Sequence, residues 1–398
     1  MCFSLKNWFV STLDTLFAKT SKTVKTRPQS LQADRLLADA IRLAELPSPV
    51  PGEEPRAAFV LERLKNLNLL PEVSEVGDIK VRLQHSKAGY EAPILLFTDL
   101  GSSRWHPRNS LARLDAENAS GAGLSDSLGC AALLSIAEQW QTGDFQSNTA
   151  KRDVLFLFTA KSPDDPNTGF EQILNNVHDR PFAAIGVRGL SLDRVIHPTG
   201  SYRLKITISS GALNKKENEE INNKVAETLI DTARTLLGIA WDTDGKTKLF
   251  IRRLEAHTVY ALTPQEGLVE LEIESSEAAL LELAMNAVKA TAGKIGEAAG
   301  LNTETSLLSY FPSGDPEHSN QLYNMLGKLL KEKHIKVHEE TAADPASFFT
   351  GEGIPALSVG IALGREGTES DIITIDSIEN GRLILERLIA ETGAKNDI

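Results

Sequence analysis

Apolar positions along this chain change rhythm several times. Between residues 33 and 46 they fall on one helical face, with Leu36, Leu37, Ala40, Ile41 and Ala44 recurring at helical spacing. Pro47-Ser-Pro-Val-Pro-Gly52 stops that helix. Glu53-Glu-Pro55 opens a second, running to about Asn68, its acidic residues suited to the first turn. Short apolar runs at 79–85, 94–99, 154–159 and 182–187 then alternate with helical stretches at 126–140 and 169–177. Such alternation predicts a largely parallel sheet with helices on both faces.

From Tyr202 the rhythm switches to a period of two, with Leu204, Ile206 and Ile208 inward and Lys205 and Thr207 outward. A helix (219–237), two strands (249–261 and 268–274), a second helix (277–299) and a strand (306–311) follow. That β-α-β-β-α-β order is the ferredoxin-like split unit. It predicts a small domain, residues 201–312, inserted between the halves (31–200 and 313–398) of a larger α/β domain. The larger domain resumes with helix 319–333, strands 335–339 and 354–361, and a closing helix at 380–391.

Residues 1–30 stand apart as an amphipathic arm. Phe3, Trp8, Phe9, Leu13, Leu16 and Phe17 recur at roughly helical spacing, with Lys6, Lys19, Lys22, Lys25 and Arg27 toward the far side and the end. The run lacks the uninterrupted apolar core of a signal peptide and is too polar to span a bilayer. An arm packed on its own body or on a partner is expected, in preference to one lying on a membrane surface. Thr26-Arg-Pro-Gln-Ser30 reads as its linker.

A net charge of −12 leaves no basic surplus for phosphates and argues against a nucleic-acid partner. Cys2 and Cys130 are far apart and offer neither a disulfide framework nor a thiolate metal site, so a reducing, cytoplasmic setting is expected. The candidate chemistry centres on Gly121-Ala-Gly-Leu-Ser-Asp126, which puts a carboxylate in a glycine-rich turn opening a helix, between two strand candidates. Open α/β sheets place ligands at such positions. A loop Asp also commonly caps a helix, and that bland reading competes with the functional one.

Several strings, taken in order, resemble the dizinc peptidase and deacylase family of peptidase T, aminoacylase, glutamate carboxypeptidase and succinyl-diaminopimelate desuccinylase. Leu43-Ala-Glu-Leu-Pro-Ser48 with Gly52-Glu-Glu54 is similar to its entry segment. Gly121 through Leu134 is similar to the glycine-flanked segment of its metal-bridging Asp, and Val259-Tyr-Ala-Leu-Thr-Pro264 to a string of its lid. Ala343-Asp344, Gly353-Ile-Pro-Ala356 with Gly360, and Asp376-Ser-Ile-Glu-Asn-Gly381 resemble its final stretch. The resemblance spans about residues 33–392. It implies a catalytic α/β domain, a lid that pairs subunits into homodimers, and a peptide or acyl-amino-acid ligand.

It also implies a zinc pair held by two His, a bridging Asp and two further carboxylates, with a Glu as base. Only the bridging Asp is plainly kept, as Asp126. The first His position falls on Phe97 if Asp99 is the family's Asp, and on Thr98 in the other register. The Glu pair falls at Pro163-Asp164 or, slid by one, at Asp164-Asp165. The next carboxylate is replaced by Arg188 and the last His by Gly367. Phe, Thr, Arg and Gly do not replace imidazole or carboxylate ligands. His334 and His338, four apart with Glu339 and Glu340 nearby, would share a helix face, but 335–339 reads as a strand and surface histidines are the better account. His106 lies between the first His position and Asp126, and reads as a loop residue.

These substitutions predict a non-catalytic homologue that keeps the cleft for binding or assembly and has no resident cofactor. The competing expectation is an active hydrolase with Asp126, Asp164 and His106 around one metal ion, since a single ion activates water in some hydrolases. Arg188 is expected either to point into the emptied pocket and pair with Asp126 or Asp164, supplying positive charge in place of metal, or to turn to solvent on its loop.

Overall fold

The computed structural model describes residues 30–48, 52–85, 91–102, 111–143, 145, 152–160, 168–210, 218–241, 244–257 and 265–395. Residues 1–29 of the arm, Asp164, Asp165, His106 and the string 259–264 lie outside the described residues. In chain order come α1 (Leu31–Glu45), α2 (Glu54–Asn66), β1 (Glu72–Val73), β2 (Ile79–Leu83), β3 (Ile94–Asp99), β4 (Arg113–Leu114), β5 (Asn118–Gly121), α3 (Leu124–Thr142) and β6 (Val154–Thr159). Next are α4 (Thr168–Asn175), β7 (Ala183–Arg188), β8 (Arg194–Ser209), α5 (Asn218–Leu237), β9 (Thr247–His257), β10 (Glu266–Ser275), α6 (Ala278–Ala299) and β11 (Asn302–Phe311). The chain ends with α7 (Asn320–Glu332), β12 (His338–Ala343), α8 (Ser347–Thr350), β13 (Ala356–Gly360), β14 (Gly364–Arg365), β15 (Asp371–Thr374) and α9 (Ser377–Gly393).

The main sheet has the order β1-β2-β6-β3-β7-β13, parallel from β6 to β13. The expected mostly parallel sheet is therefore present, with β2 joining it antiparallel at one side. Its central strands are apolar nearly throughout because helices cover both faces. Helix α3 is buried on almost every side, so its sequence shows little polar face. Gly129 lets it approach the sheet: a Cβ there would lie 2.3 Å from Thr98 Oγ1 and 2.5 Å from the Val187 carbonyl.

The second sheet runs β11-β8-β10-β9, all antiparallel. Counting its four strands from β8, the order is 4-1-3-2, that of a ferredoxin-like unit, with α5 and α6 packed on one face around Leu204, Ile206, Val269 and Leu271. Its first strand begins at Arg194, earlier than the alternating run from Tyr202 suggested. The early half of β8 pairs in parallel with β12 and the later half with β10 and β11, so one unbroken strand joins the two bodies.

One expectation is corrected. The strand expected at 335–339 is β12, starting at His338, while Ile335 and Val337 pack on the core from irregular chain. Helix α7 has ended by then and His334 sits at φ 58°, so the two histidines share no helix face. A third sheet, β14-β15-β5-β4, was not anticipated. Its strands are only two to four residues long, too short to show a period.

Candidate functional site

At the carboxyl ends of β3, β7 and β13 lies a cleft of about 770 Å³. Thr98, Asp99, Asp126, Arg188 and Arg365 are among the residues lining it. Asp126 arrives there because β5 ends at Gly121 and the chain turns through Gly123 at φ 67° into α3. Any other residue at Gly123 would be strained and would push its Cβ to 2.4 Å from Ser102 Oγ. Asp126 Oδ2 accepts a hydrogen bond from Ser102 Oγ at 2.6 Å.

Asp126 is not the helix cap. Gly123 provides no side-chain cap, and the first-turn N–H of Ser125 donates instead to Asp371 Oδ2 (3.1 Å), as does Ser125 Oγ (2.9 Å). Asp371 is fully buried on β15, so the small third sheet supplies the anion that this helix N-terminus favours. The capping job has been taken over from a point 246 residues away, and Asp126 is left to face the cleft.

Beneath this turn lies Arg56, fully buried. Its Nε donates to the Leu43 carbonyl (2.9 Å), Nη1 to the Leu100 carbonyl (2.8 Å) and Nη2 to Ser127 Oγ. Burial lowers its pKa, and Cys130, Asp126 and Glu53 act in the opposite sense. A permanent cation thus sits behind the Asp126 carboxylate. Sequence reasoning missed it, although a signal was present: Arg56, Val60 and Leu64 are the buried stripe of α2, and a charge on an apolar stripe needs partners.

Arg188, at the end of β7, lines the cleft, but among the described residues its ion pair is with Asp344 Oδ2 at 3.4 Å rather than with Asp126. Asp344 is fully buried, and its Oδ1 accepts from Ser358 Oγ (2.7 Å) and the Ala346 N–H (2.9 Å). The expected pairing with Asp126 is therefore corrected. Arg188 compensates the carboxylate that has no solvent, whereas Asp126 has Ser102 and the nearby Arg56. Asp164 lies outside the described residues.

The remaining positions are spoken for by the fold. The Phe97 ring packs against Phe170 and Phe349 at 5.2 and 5.5 Å between centroids, while Thr98 faces α3 at Gly129. Asp99 Oδ1 accepts from Thr159 Oγ1 at 2.7 Å. Gly367 offers only its backbone, its N–H lying 3.4 Å from Asp371 Oδ1. A zinc pair wants about four N or O ligands per ion. Among the described residues no group of three or more His, Cys, Asp or Glu is placed to hold a metal, and two guanidiniums stand close by. The described donor set does not fit a zinc pair.

This architecture, a mostly parallel α/β body with an inserted ferredoxin-like unit, is the fold of a group of metallopeptidases and amidohydrolases. The chain is similar to the aminopeptidase PepT of Bacillus cereus (14% identity, 91% of this chain and 99% of that one, TM-score 0.63). A Bacillus subtilis protein described as a dinuclear metal-binding peptidase of the M20 family aligns at 13% identity over 91% and 98% of the two chains, with TM-score 0.57. A hydantoinase/carbamoylase-family amidase from Burkholderia vietnamiensis aligns at 12% identity over 91% and 98%, with TM-score 0.63. No protein-family model matches the sequence, and no curated protein matches it. At these identities the likeness defines the fold.

Proposed function

We propose that this chain is a non-catalytic relative of zinc-dependent peptidases and amide-bond deacylases, which keeps the cleft for binding or assembly. The observation that carries the reading is Arg188, a fixed cation in the cleft held by a buried carboxylate. Arg56 behind Asp126 supports it, because a second cation there disfavours a metal ion on the same carboxylate. On this reading the protein works in the cytoplasm, and its chemistry is recognition rather than hydrolysis. The test is the metal content of protein purified without chelators, by inductively coupled plasma mass spectrometry, alongside assays on tripeptides and N-acetyl amino acids with added zinc. The expected result is far less than one zinc per chain and no metal-dependent turnover. Stoichiometric zinc with hydrolysis abolished by Asp126→Asn would establish the active-hydrolase reading instead.

A further inference from the structure

The Arg188 guanidinium has more donor capacity than the described residues use. Among the described residues none of its N–H groups makes a hydrogen bond, and its one ion pair is the 3.4 Å contact with Asp344 Oδ2. That oxygen itself accepts no hydrogen bond. The contact neutralises Asp344 without consuming the planar fork, and the side chain is 42% exposed into the 770 Å³ cleft. A guanidinium with free, parallel donors is a bidentate site for an oxyanion. Among the described residues Arg365, exposed on the same cleft, has no ion pair of its own.

From this geometry we infer that the cleft binds a small carboxylate at Arg188, where relatives with the same fold that hold metal would bind a cation. The inference rests on the proposed loss of the metal site. A monoanion fits better than a phosphate dianion because the lining is not a basic pocket. Among its described residues three arginines (Arg188, Arg194 and Arg365) face four carboxylates, and Arg194 is already paired with Glu340. A second ligand charge would meet those carboxylates at short range, where repulsion is only partly screened. A neutral amide of the same shape would leave the guanidinium without a charged acceptor.

The experiment is a titration of the full chain at pH 7 with acetate, followed through the Arg188 Nε–Hε resonance in ¹⁵N-labelled protein, with acetamide and inorganic phosphate in parallel. The expected result is a saturable shift with acetate, little with acetamide, and weaker binding of phosphate. Arg188→Gln should weaken acetate by about tenfold or more, the order expected for a charged hydrogen-bonded contact. Binding by Arg188→Gln is read from protein resonances of the cleft. Because that variant leaves Asp344 buried without its cation, Arg188→Gln/Asp344→Asn is measured too and should lose binding equally while staying folded. Arg253→Gln, on the remote lid sheet, should bind as the parent does. No saturable response to acetate, an equal response to acetamide, tighter phosphate binding, or full binding by the double variant would each overturn the proposal. Zinc content of the same samples separates the two readings: a zinc-free protein silent to acetate sinks only this inference, whereas a zinc-loaded one sinks the reading beneath it.

Discussion

Arg188 and Asp126 were both visible in the sequence as singular positions, but their partners were not. Pairing Arg188 with Asp126 or Asp164 followed from assuming that charge compensation stays within the old ligand set. Among the described carboxylates the fold pairs Arg188 with the one that has least solvent, Asp344, because an unpaired buried charge is the costlier fault. Only the tertiary fold brings the end of β7 beside a residue in the turn after β12, and no local pattern encodes that. The consequence for mutation changes accordingly. Arg188→Asp would put a second carboxylate against Asp344 rather than rebuild a ligand set. We expect it to destabilise the fold by about 3–5 kcal/mol, the range for breaking a buried pair, reduced toward the lower end because Arg188 is partly exposed. Urea unfolding should show this, and Arg188→Asp/Asp344→Asn should recover most of the loss.

Elements were legible in proportion to their length and apolar content. The long strands and helices announce themselves by period, and the 4-1-3-2 sheet follows from the order of its elements. The four short strands β4, β5, β14 and β15 carry no such signal, yet they hold the turn that presents Asp126. One contact ties them to that turn, Asp371 to the Ser125 N–H and hydroxyl. Asp371→Ala should leave that buried N–H without its acceptor and cost about 1–3 kcal/mol in chemical denaturation. Local exchange protection at residues 121–126 should fall by more than it does in β6. An equal loss everywhere would mean that the third sheet supports the whole body rather than this turn.

At the scale of the whole molecule, two buried groups tie stability to alkaline pH. Burial pushes the Cys130 thiol up to about 12, and burial also lifts the Tyr323 hydroxyl to about 12. The unfolded chain gives up both protons at their ordinary values while the folded protein keeps them. Stability contributed by the neutral forms is thus full below pH 9 and declines as pH rises toward 12. Urea midpoints should fall steadily from pH 9 to 11, and Cys130→Ala should flatten part of that slope. A slope unchanged in that variant would assign the effect elsewhere.

Self-association is the other property at this scale. Helix α5 buries Val225, Leu229 and Leu236 against the second sheet, yet Ile230 and Leu237 remain 59% and 58% exposed. One helix face serves the fold, and a second apolar pair stands outside it. The neighbouring edge strand β9 is a poor partner for sheet extension, since Arg252 and Arg253 lie on it, and charged edges discourage strand pairing. We predict a homodimer joined mainly through α5, weak because two side chains anchor only a small part of the roughly 1,200 Å² that stable interfaces bury. Light scattering from 1 to 100 micromolar should then show a concentration-dependent rise toward twice the chain mass. Ile230→Glu/Leu237→Glu should abolish that rise without altering the unfolding midpoint measured at low concentration, because neither side chain is buried in the monomer. A charge reversal on β9, Arg253→Glu, should leave association nearly unchanged. If it is the β9 variant that breaks the dimer and the α5 variant that does not, the contact runs along the sheet edge and the helix face is simply solvated.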